Sequence, residues 1–223
     1  MTGKNVLISG SGNVAQYAAE KVIELGGKVL SFSDSNGTIT KSTGFTQAEV
    51  EQVMHLKNKK RGRCAELANS EITFHAGKRP WGLFKSVDFA LPCATQNEIE
   101  TGDAESLVAA GCSAVFEGAN MPSTPDAIRV YKEKSVSYFP AKAANAGGVA
   151  VSGLEMAQNS ARLEWTREEV DNRLKGIMKS IYTTCRDTAA DLGHPGDFQL
   201  GANAAGFKKV ADSMIAQGMV FDN

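Results

Sequence analysis

The stretch with the clearest capacity for chemistry is Gly10-Ser11-Gly12-Asn13-Val14-Ala15, which lies between an apolar run and a helical repeat. In such a turn Gly10 permits the sharp exit from a strand, Gly12 lets the backbone approach a pyrophosphate, and the small Ala15 allows close packing of helix on strand. Unpaired N–H groups at the positive end of the following helix would then hold the phosphates. Glycine-rich turns of this kind also occur in proteins that bind no nucleotide, so the surrounding residues matter. At the distance where a ribose-reading group is expected, about 20 residues on, Val29-Leu30-Ser31-Phe32 runs into Ser33-Asp34. The segment Lys57-Asn58-Lys59-Lys60-Arg61-Gly62-Arg63 is the dense basic cluster of the chain. It reads equally as a solvated helix end or as an anion pocket able to hold a 2′-phosphate. Polar residues just beyond parallel strands sit where open α/β sheets bind ligands, which adds Thr95 and Asn97, and Asn120 at a later strand exit.

The elements that must position these groups are legible. Val6-Leu7-Ile8-Ser9 is a strand, and Val14, Ala15, Ala18, Ala19, Val22, Ile23 and Leu25 recur at helical spacing up to Gly26-Gly27. Ser35-Asn36-Gly37 marks a turn, followed by a polar loop from Thr40 to Gly44. Thr46 with Glu49 forms a capping box opening a helix that breaks near Gly62. Ile72-Thr73-Phe74, Val87 to Cys93, Ala114 to Glu117 and Val136 to Pro140 are further strands. Gly77 to Trp81 is a loop carrying an aromatic, Gly111 ends one helix, and Thr124-Pro125 starts another. This alternation predicts an α/β fold: a Rossmann-like, doubly wound, mostly parallel sheet. After Pro140 the chain turns small-residue rich. A Thr166/Glu169 capping box opens a long helix, and Phe207, Val210, Met214 and Ile215 lie on a last one. Residues 1–150 are therefore expected to form the dinucleotide-binding core, with 151–223 a helical appendage packed on it in the same domain.

Composition narrows the function classes. With 42% hydrophobic and 22% charged residues and a formal net charge of −1, nothing points to a nucleic-acid or membrane partner. Cys64, Cys93, Cys112 and Cys185 lack CxxC pairing, and His55, His75 and His194 are dispersed, so no metal site is expected. No run is long and apolar enough to span a bilayer, and because Met1-Thr2-Gly3-Lys4 leads directly into the first strand, no signal peptide is expected. A cytoplasmic protein with reduced thiols is the expectation, and from the strand-first start no preceding domain is expected.

Four motifs carry a family resemblance: Ser9 to Tyr17 (SGSGNVAQY), Ala90 to Glu98 (ALPCATQNE), Glu117 to Pro122 (EGANMP) and Lys142 to Met156 (KAANAGGVAVSGLEM). In this order they resemble hexameric, NADP-dependent glutamate dehydrogenase of the Glu/Leu/Phe/Val dehydrogenase family, across essentially the whole chain. The resemblance is to that family's coenzyme-binding half. The family's N-terminal domain, which supplies the catalytic lysine and aspartate, has no counterpart here, so no catalytic residue is expected and the chain alone should be inactive. The resemblance implies that Gly10, Gly12 and Ala15, with Asn13 and Val14 in the same turn, hold the pyrophosphate. It places Ser35, Lys57, Lys60 and Arg63 on the 2′-phosphate, Ala94, Thr95 and Asn97 along the coenzyme, Asn120 at the nicotinamide and Asn145 at its ribose. Val149 and Ser152 would line the glutamate pocket, although from the residues alone Ser152 reads as a helix-interior serine bonding to its own backbone. Asp34 is the anomaly, since an acid there favours the free 2′-hydroxyl of NAD; several cations outweigh it, so NADP is expected, with NAD possible. The complete enzyme is implied to be a homohexamer acting on 2-oxoglutarate, ammonium and glutamate. The alternatives are a leucine-, valine- or phenylalanine-type dehydrogenase, or a non-catalytic dinucleotide-binding module.

Overall fold

The computed structural model describes Met1 to Gly218. The chain forms two compact units, Met1–Ala141 and the segment from Lys142 onward, so the first unit ends before the boundary at 150 expected from the sequence.

In the first unit a five-stranded parallel sheet is built from β1 (Asn5–Ile8), β2 (Lys28–Val29), β6 (Phe89–Leu91), β7 (Ala114–Phe116) and β8 (Ser137–Phe139), in the order β2-β1-β6-β7-β8. Alternation along β1 sends its side chains to two cores. Val6 and Ile8 join Ala15, Ala19 and Val22 of helix α1 (Asn13–Glu24), whereas Leu7 joins Ala104 and Leu107 of α3 (Thr101–Ala109) and Ala127 and Tyr131 of α4 (Pro125–Glu133). Helices thus cover both faces, which is why the strands read as continuous apolar runs. Strand order reverses at β1, and the crevice beyond the ends of β1 and β6 is the place where such sheets bind ligands.

The mostly parallel central sheet is as expected, and a second, smaller sheet stands beside it. The apolar run at Val29 is two strands: it pairs with β1 through β2, passes Leu30, and continues as β3 (Ser31–Asp34) in a separate antiparallel sheet with β4 (Gly37–Thr40) and β5 (Thr73–Ala76). The stretch expected to be a loop from Thr40 begins inside β4, and Ile72-Thr73-Phe74 contributes to this second sheet. Where β3 departs, two serines take over the backbone bonding that the ladder would have supplied. Ser31 Oγ accepts from Ile8 N–H (3.0 Å) and donates to Ile8 C=O (2.9 Å). Ser33 Oγ accepts from Gly10 N–H (2.8 Å), and Ser33 N–H donates to Gly10 C=O (3.0 Å). Buried backbone groups without such partners would be costly.

Helix α2 (Gln47–His55) opens with the Thr46/Glu49 capping box, continues as a π-helical turn, Leu56–Lys60, and stops at Arg61 in a left-handed conformation (φ 53°). The second unit holds α5 from its second residue (Ala141–Ala144), α6 (Ala146–Ala161), α7 (Arg167–Asp191) and α8 (Phe198–Gln217). Thr166 and Glu169 cap α7 reciprocally, as the sequence predicts. Helices α7 and α8 pack so tightly at Gly201 that a Cβ there would strike the carbonyl of Cys185.

Candidate functional site

The glycine turn lies on the floor of a cleft of about 480 Å3 in the first unit. Gly10, Ser11 and Gly12 line it from the end of β1, Ser33, Asp34, Ser35 and Gly37 from the antiparallel sheet, Gly77, Lys78 and Arg79 from the loop after β5, and Cys93, Ala94, Thr95 and Glu98 from the loop after β6. The two glycines do different work. Gly10 has φ +80°, and a Cβ on it would sit 2.8 Å from the Cys93 carbonyl oxygen, so this residue lets two strand ends approach. Gly12 has an ordinary φ of −80° and no protein atom within 4 Å of where its Cβ would be. It is also the N-cap of α1 and makes no side-chain cap bond, which leaves the first-turn N–H groups free of a side-chain partner. An open approach to uncapped helix N–H groups is a cradle for an anionic group. Ala15 is fully buried behind it, whereas Asn13 and Val14 are exposed. Val14 sits instead beside Gly118, where a Cβ would come within 3.0 Å of Val14 Cγ1 and 2.7 Å of Cys93 Sγ.

Asp34 lines the cleft, and its carboxylate is held by donors of the chain itself. One oxygen accepts from Asn36 N–H (3.0 Å); the other accepts from Cys64 N–H (2.8 Å) and from the Lys57 ammonium (3.3 Å). Burial pushes its pKa up, but the N–H donors of Cys64 and Asn36 and the Lys57 ammonium outweigh burial and hold the carboxyl below its ordinary range. Lys57 is engaged twice, since it also donates to Gly62 C=O (2.9 Å). Arg63 reaches the residue just beyond β3, where its guanidinium donates to Ser35 Oγ (2.9 Å). Lys60 is exposed and does not line the cleft. The basic segment is held to the glycine turn by Gln16, buried on α1, which donates to Ser11 C=O (2.8 Å) and exchanges amide hydrogen bonds with Asn58 (3.2 and 3.1 Å).

Opposite, Glu98 organises the loop after β6. Its Oε1 accepts from Ala94 N–H (3.0 Å) and Thr95 N–H (3.4 Å), fixing two residues that line the cleft. Burial raises its pKa against the opposing pull of Ser9, the two backbone donors and Arg79. The Cys93 thiol is pushed up to about 12, by burial first and then by Glu98, so it is no nucleophile. Asn97 lies outside the lining; it holds a left-handed turn (φ 52°), and its N–H donates to Met121 C=O (3.0 Å), tying together the loops that follow β6 and β7. Asn120 is exposed in the second of these loops.

Three of the sequence-predicted residues fall in the second unit. Asn145 is the N-cap residue of α6, Val149 is 73% exposed, and Ser152 Oγ donates to Gly148 C=O (3.3 Å), the back-bonding geometry of a helix-interior serine. The cleft therefore gathers Gly10, Gly12, Asp34, Ser35, Ala94 and Thr95, with Arg63 bonded to Ser35. Sequence reading missed Lys78, Arg79 and Glu98. Only their placement on loops leaving strands hinted at them. Among the described residues no group of three or more His, Cys, Asp or Glu is placed to hold a metal, and no helix is long and apolar enough to cross a membrane.

Comparison with known proteins agrees with this architecture. The sequence model of the Glutamate/Leucine/Phenylalanine/Valine dehydrogenase family matches residues 1–218. The chain belongs to this family. Its relatives include the NADP-specific glutamate dehydrogenase of Giardia intestinalis, 59% identical over 221 residues, covering 98% of this chain and 49% of that protein. The NAD(P)-specific glutamate dehydrogenase of Xylanibacter ruminicola is 50% identical over 220 residues, covering 98% and 49%. Among solved structures, a glutamate dehydrogenase of Plasmodium falciparum superposes with a TM-score of 0.93 at 46% identity, over 97% of this chain and 47% of that one. The chain thus spans about half the length of the curated relatives it matches.

Proposed function

We infer that these residues form the coenzyme-binding part of an NADP(H)-dependent glutamate dehydrogenase, which interconverts glutamate with 2-oxoglutarate and ammonium. The observation that carries this reading is the wall of the cleft at the end of β3. A reader of a free 2′-hydroxyl presents a carboxylate acceptor. Here both oxygens of Asp34 are taken by the chain's own donors, and the edge offers Ser35 and Arg63 instead. That supports a 2′-phosphate, and the NADP-specific name of the Giardia relative points the same way. The NAD(P)-specific relative keeps NAD as a second coenzyme.

In this reading Gly12 and the first turn of α1 bind the pyrophosphate, Ser35 and Arg63 the 2′-phosphate, and Ala94 and Thr95, fixed by Glu98, line the path toward the nicotinamide. When bound, the nicotinamide supplies or accepts the hydride. The residues of this chain bind and orient; none of them is assigned a proton transfer. Asn120, Asn145, Val149 and Ser152 are proposed nearer the reacting end, with the Ser152 hydroxyl turning from Gly148 C=O to a substrate carboxylate. The glutamate-type pocket is favoured over an apolar one by this hydroxyl and by the names of the relatives. The complete enzyme is proposed to be a homohexamer.

Calorimetric titration of the 223-residue chain with NADPH and with NADH is the direct test. NADPH is expected to bind more tightly; failure to bind either dinucleotide, or a preference for NADH, would overturn the reading. Mixed with 2-oxoglutarate, ammonium and NADPH, the chain by itself is expected to give no turnover, and turnover would place catalytic groups within these residues.

A further inference from the structure

We propose that Lys78, on the loop after β5, is a second determinant of coenzyme choice, facing the 2′-phosphate from the side opposite Arg63. The proposal rests on the NADP reading above, but position 78 is not among the residues that the family resemblance assigns to the coenzyme. It follows from how the cations around the cleft are used. Lys57 is committed to Asp34 and to Gly62 C=O. Arg79 donates to Glu98 C=O (2.8 Å) and to Asp103 (3.4 Å), so it clamps the loop to the start of α3. Lys78 also lines the cleft, and among the described residues its ammonium has no acidic partner.

Its main chain, by contrast, is fixed. Thr38 Oγ1 donates to Lys78 C=O (2.6 Å), and Gly77 N–H donates to Asn36 C=O (2.8 Å). Asn36 follows Ser35 directly, so these bonds bring the loop that carries Lys78 next to the turn whose serine is bonded to Arg63. Gly37 makes this closeness possible, since a Cβ there would strike His75 C=O and approach Gly77 N at 3.0 Å. A long cationic side chain on an immobilised backbone, beside a serine already held by a guanidinium, is suited to a dianionic phosphate and adds nothing for a hydroxyl.

The test compares Lys78→Gln and Lys78→Arg with the unaltered chain, measuring dissociation constants for NADPH, NADH, 2′,5′-ADP and 5′-AMP, with circular dichroism to check the fold. Lys78→Gln is expected to weaken NADPH and 2′,5′-ADP about fivefold or more while changing NADH and AMP less than about twofold. Lys78→Arg should restore most of the loss, and added salt should erode the difference. If the unaltered chain prefers NADPH and Lys78→Gln keeps that preference, the assignment of Lys78 falls while the coenzyme reading stands. If the unaltered chain binds neither dinucleotide, the coenzyme reading falls first. An equal loss for all four ligands in a folded variant would also overturn the proposal, because it would assign Lys78 to the shape of the cleft and not to the phosphate.

Discussion

Two glycines separated by one residue in the same turn are expected to fail in different ways when each is replaced by alanine. In Gly10→Ala the new Cβ meets the Cys93 carbonyl oxygen at 2.8 Å and the Ala94 Cα at 3.1 Å, both main-chain atoms that cannot swing aside. Holding alanine at φ +80° costs about 1–2 kcal/mol, and forcing the two strand ends apart costs about 1–3 kcal/mol more. A loss of roughly 2–5 kcal/mol is a large part of the stability of a domain this size. Gly12→Ala meets no protein atom within 4 Å and keeps an allowed φ. Its only stability cost is the poorer preference of alanine for an N-cap, about 1 kcal/mol or less, yet its methyl group projects into the space the pyrophosphate would occupy. Urea unfolding followed by the fluorescence of buried Trp81, with Trp165 replaced by Phe throughout, measures the first effect; NADPH titration measures the second. Gly10→Ala should shift the unfolding midpoint strongly, and Gly12→Ala should unfold nearly normally while losing at least tenfold in NADPH affinity, about 1.4 kcal/mol. Parallel losses of stability and binding in both variants, or a Gly12→Ala chain that binds normally, would refute this division of labour.

Ser31→Ala should destabilise the chain by about 1–3 kcal/mol in the same assay, because it leaves the buried Ile8 N–H and C=O without their shared partner. Asp34→Asn should release Lys57 toward the cleft and remove a negative charge from its wall, raising the preference for NADPH over NADH in paired titrations. Glu98→Gln keeps an acceptor for Ala94 and Thr95 but removes the ionisable group. Because burial raises the folded pKa of Glu98 above its ordinary 4.5, wild-type stability attributable to this group is full below 4.5 and falls as pH rises through the folded value. Unfolding curves at several pH values should therefore show the Gln variant gaining on wild type with rising pH, and a constant difference would contradict the raised pKa.

The parts of this fold that were legible in the sequence are those where burial follows a period. Val6, Leu7 and Ile8 alternate between two cores, α1 buries Ala15, Ala19 and Val22 on one stripe, and the Thr46 and Thr166 capping boxes announce their helices. Strand β4 escaped because Gly37-Thr38-Ile39-Thr40 combines a turn residue with two threonines. Their burial depends on distant partners, the Lys78 carbonyl and His75 Nε2 (2.9 Å from Thr40 Oγ1). The break at Leu30 escaped because a strand that changes sheets has the same composition as one that does not. At the site, Gly10, Gly12 and Thr95 could be picked out because each follows a strand, whereas Ser35 was pointed to by the family resemblance. The pairing of Lys57 with Asp34, 23 residues apart, could not, since sequence reports that both are charged but not which charge answers the other.

The crossing at Leu30 also separates two tasks within the first unit. The five-stranded sheet holds the turn that any dinucleotide would need, while Ser35, Arg63 and Lys78 belong to or border an antiparallel sheet that is joined to it through Leu30, the serine hydrogen bonds and the core that Phe32 and Ile39 share with Val6 and Ile8. On the proposed reading, substitutions confined to the hairpin and its flanking loops would change the coenzyme and leave the glycine turn untouched. The hydroxyls of Ser31 and Ser33 would have to stay in any such exchange, because they satisfy the backbone groups of Ile8 and Gly10 where the two sheets part.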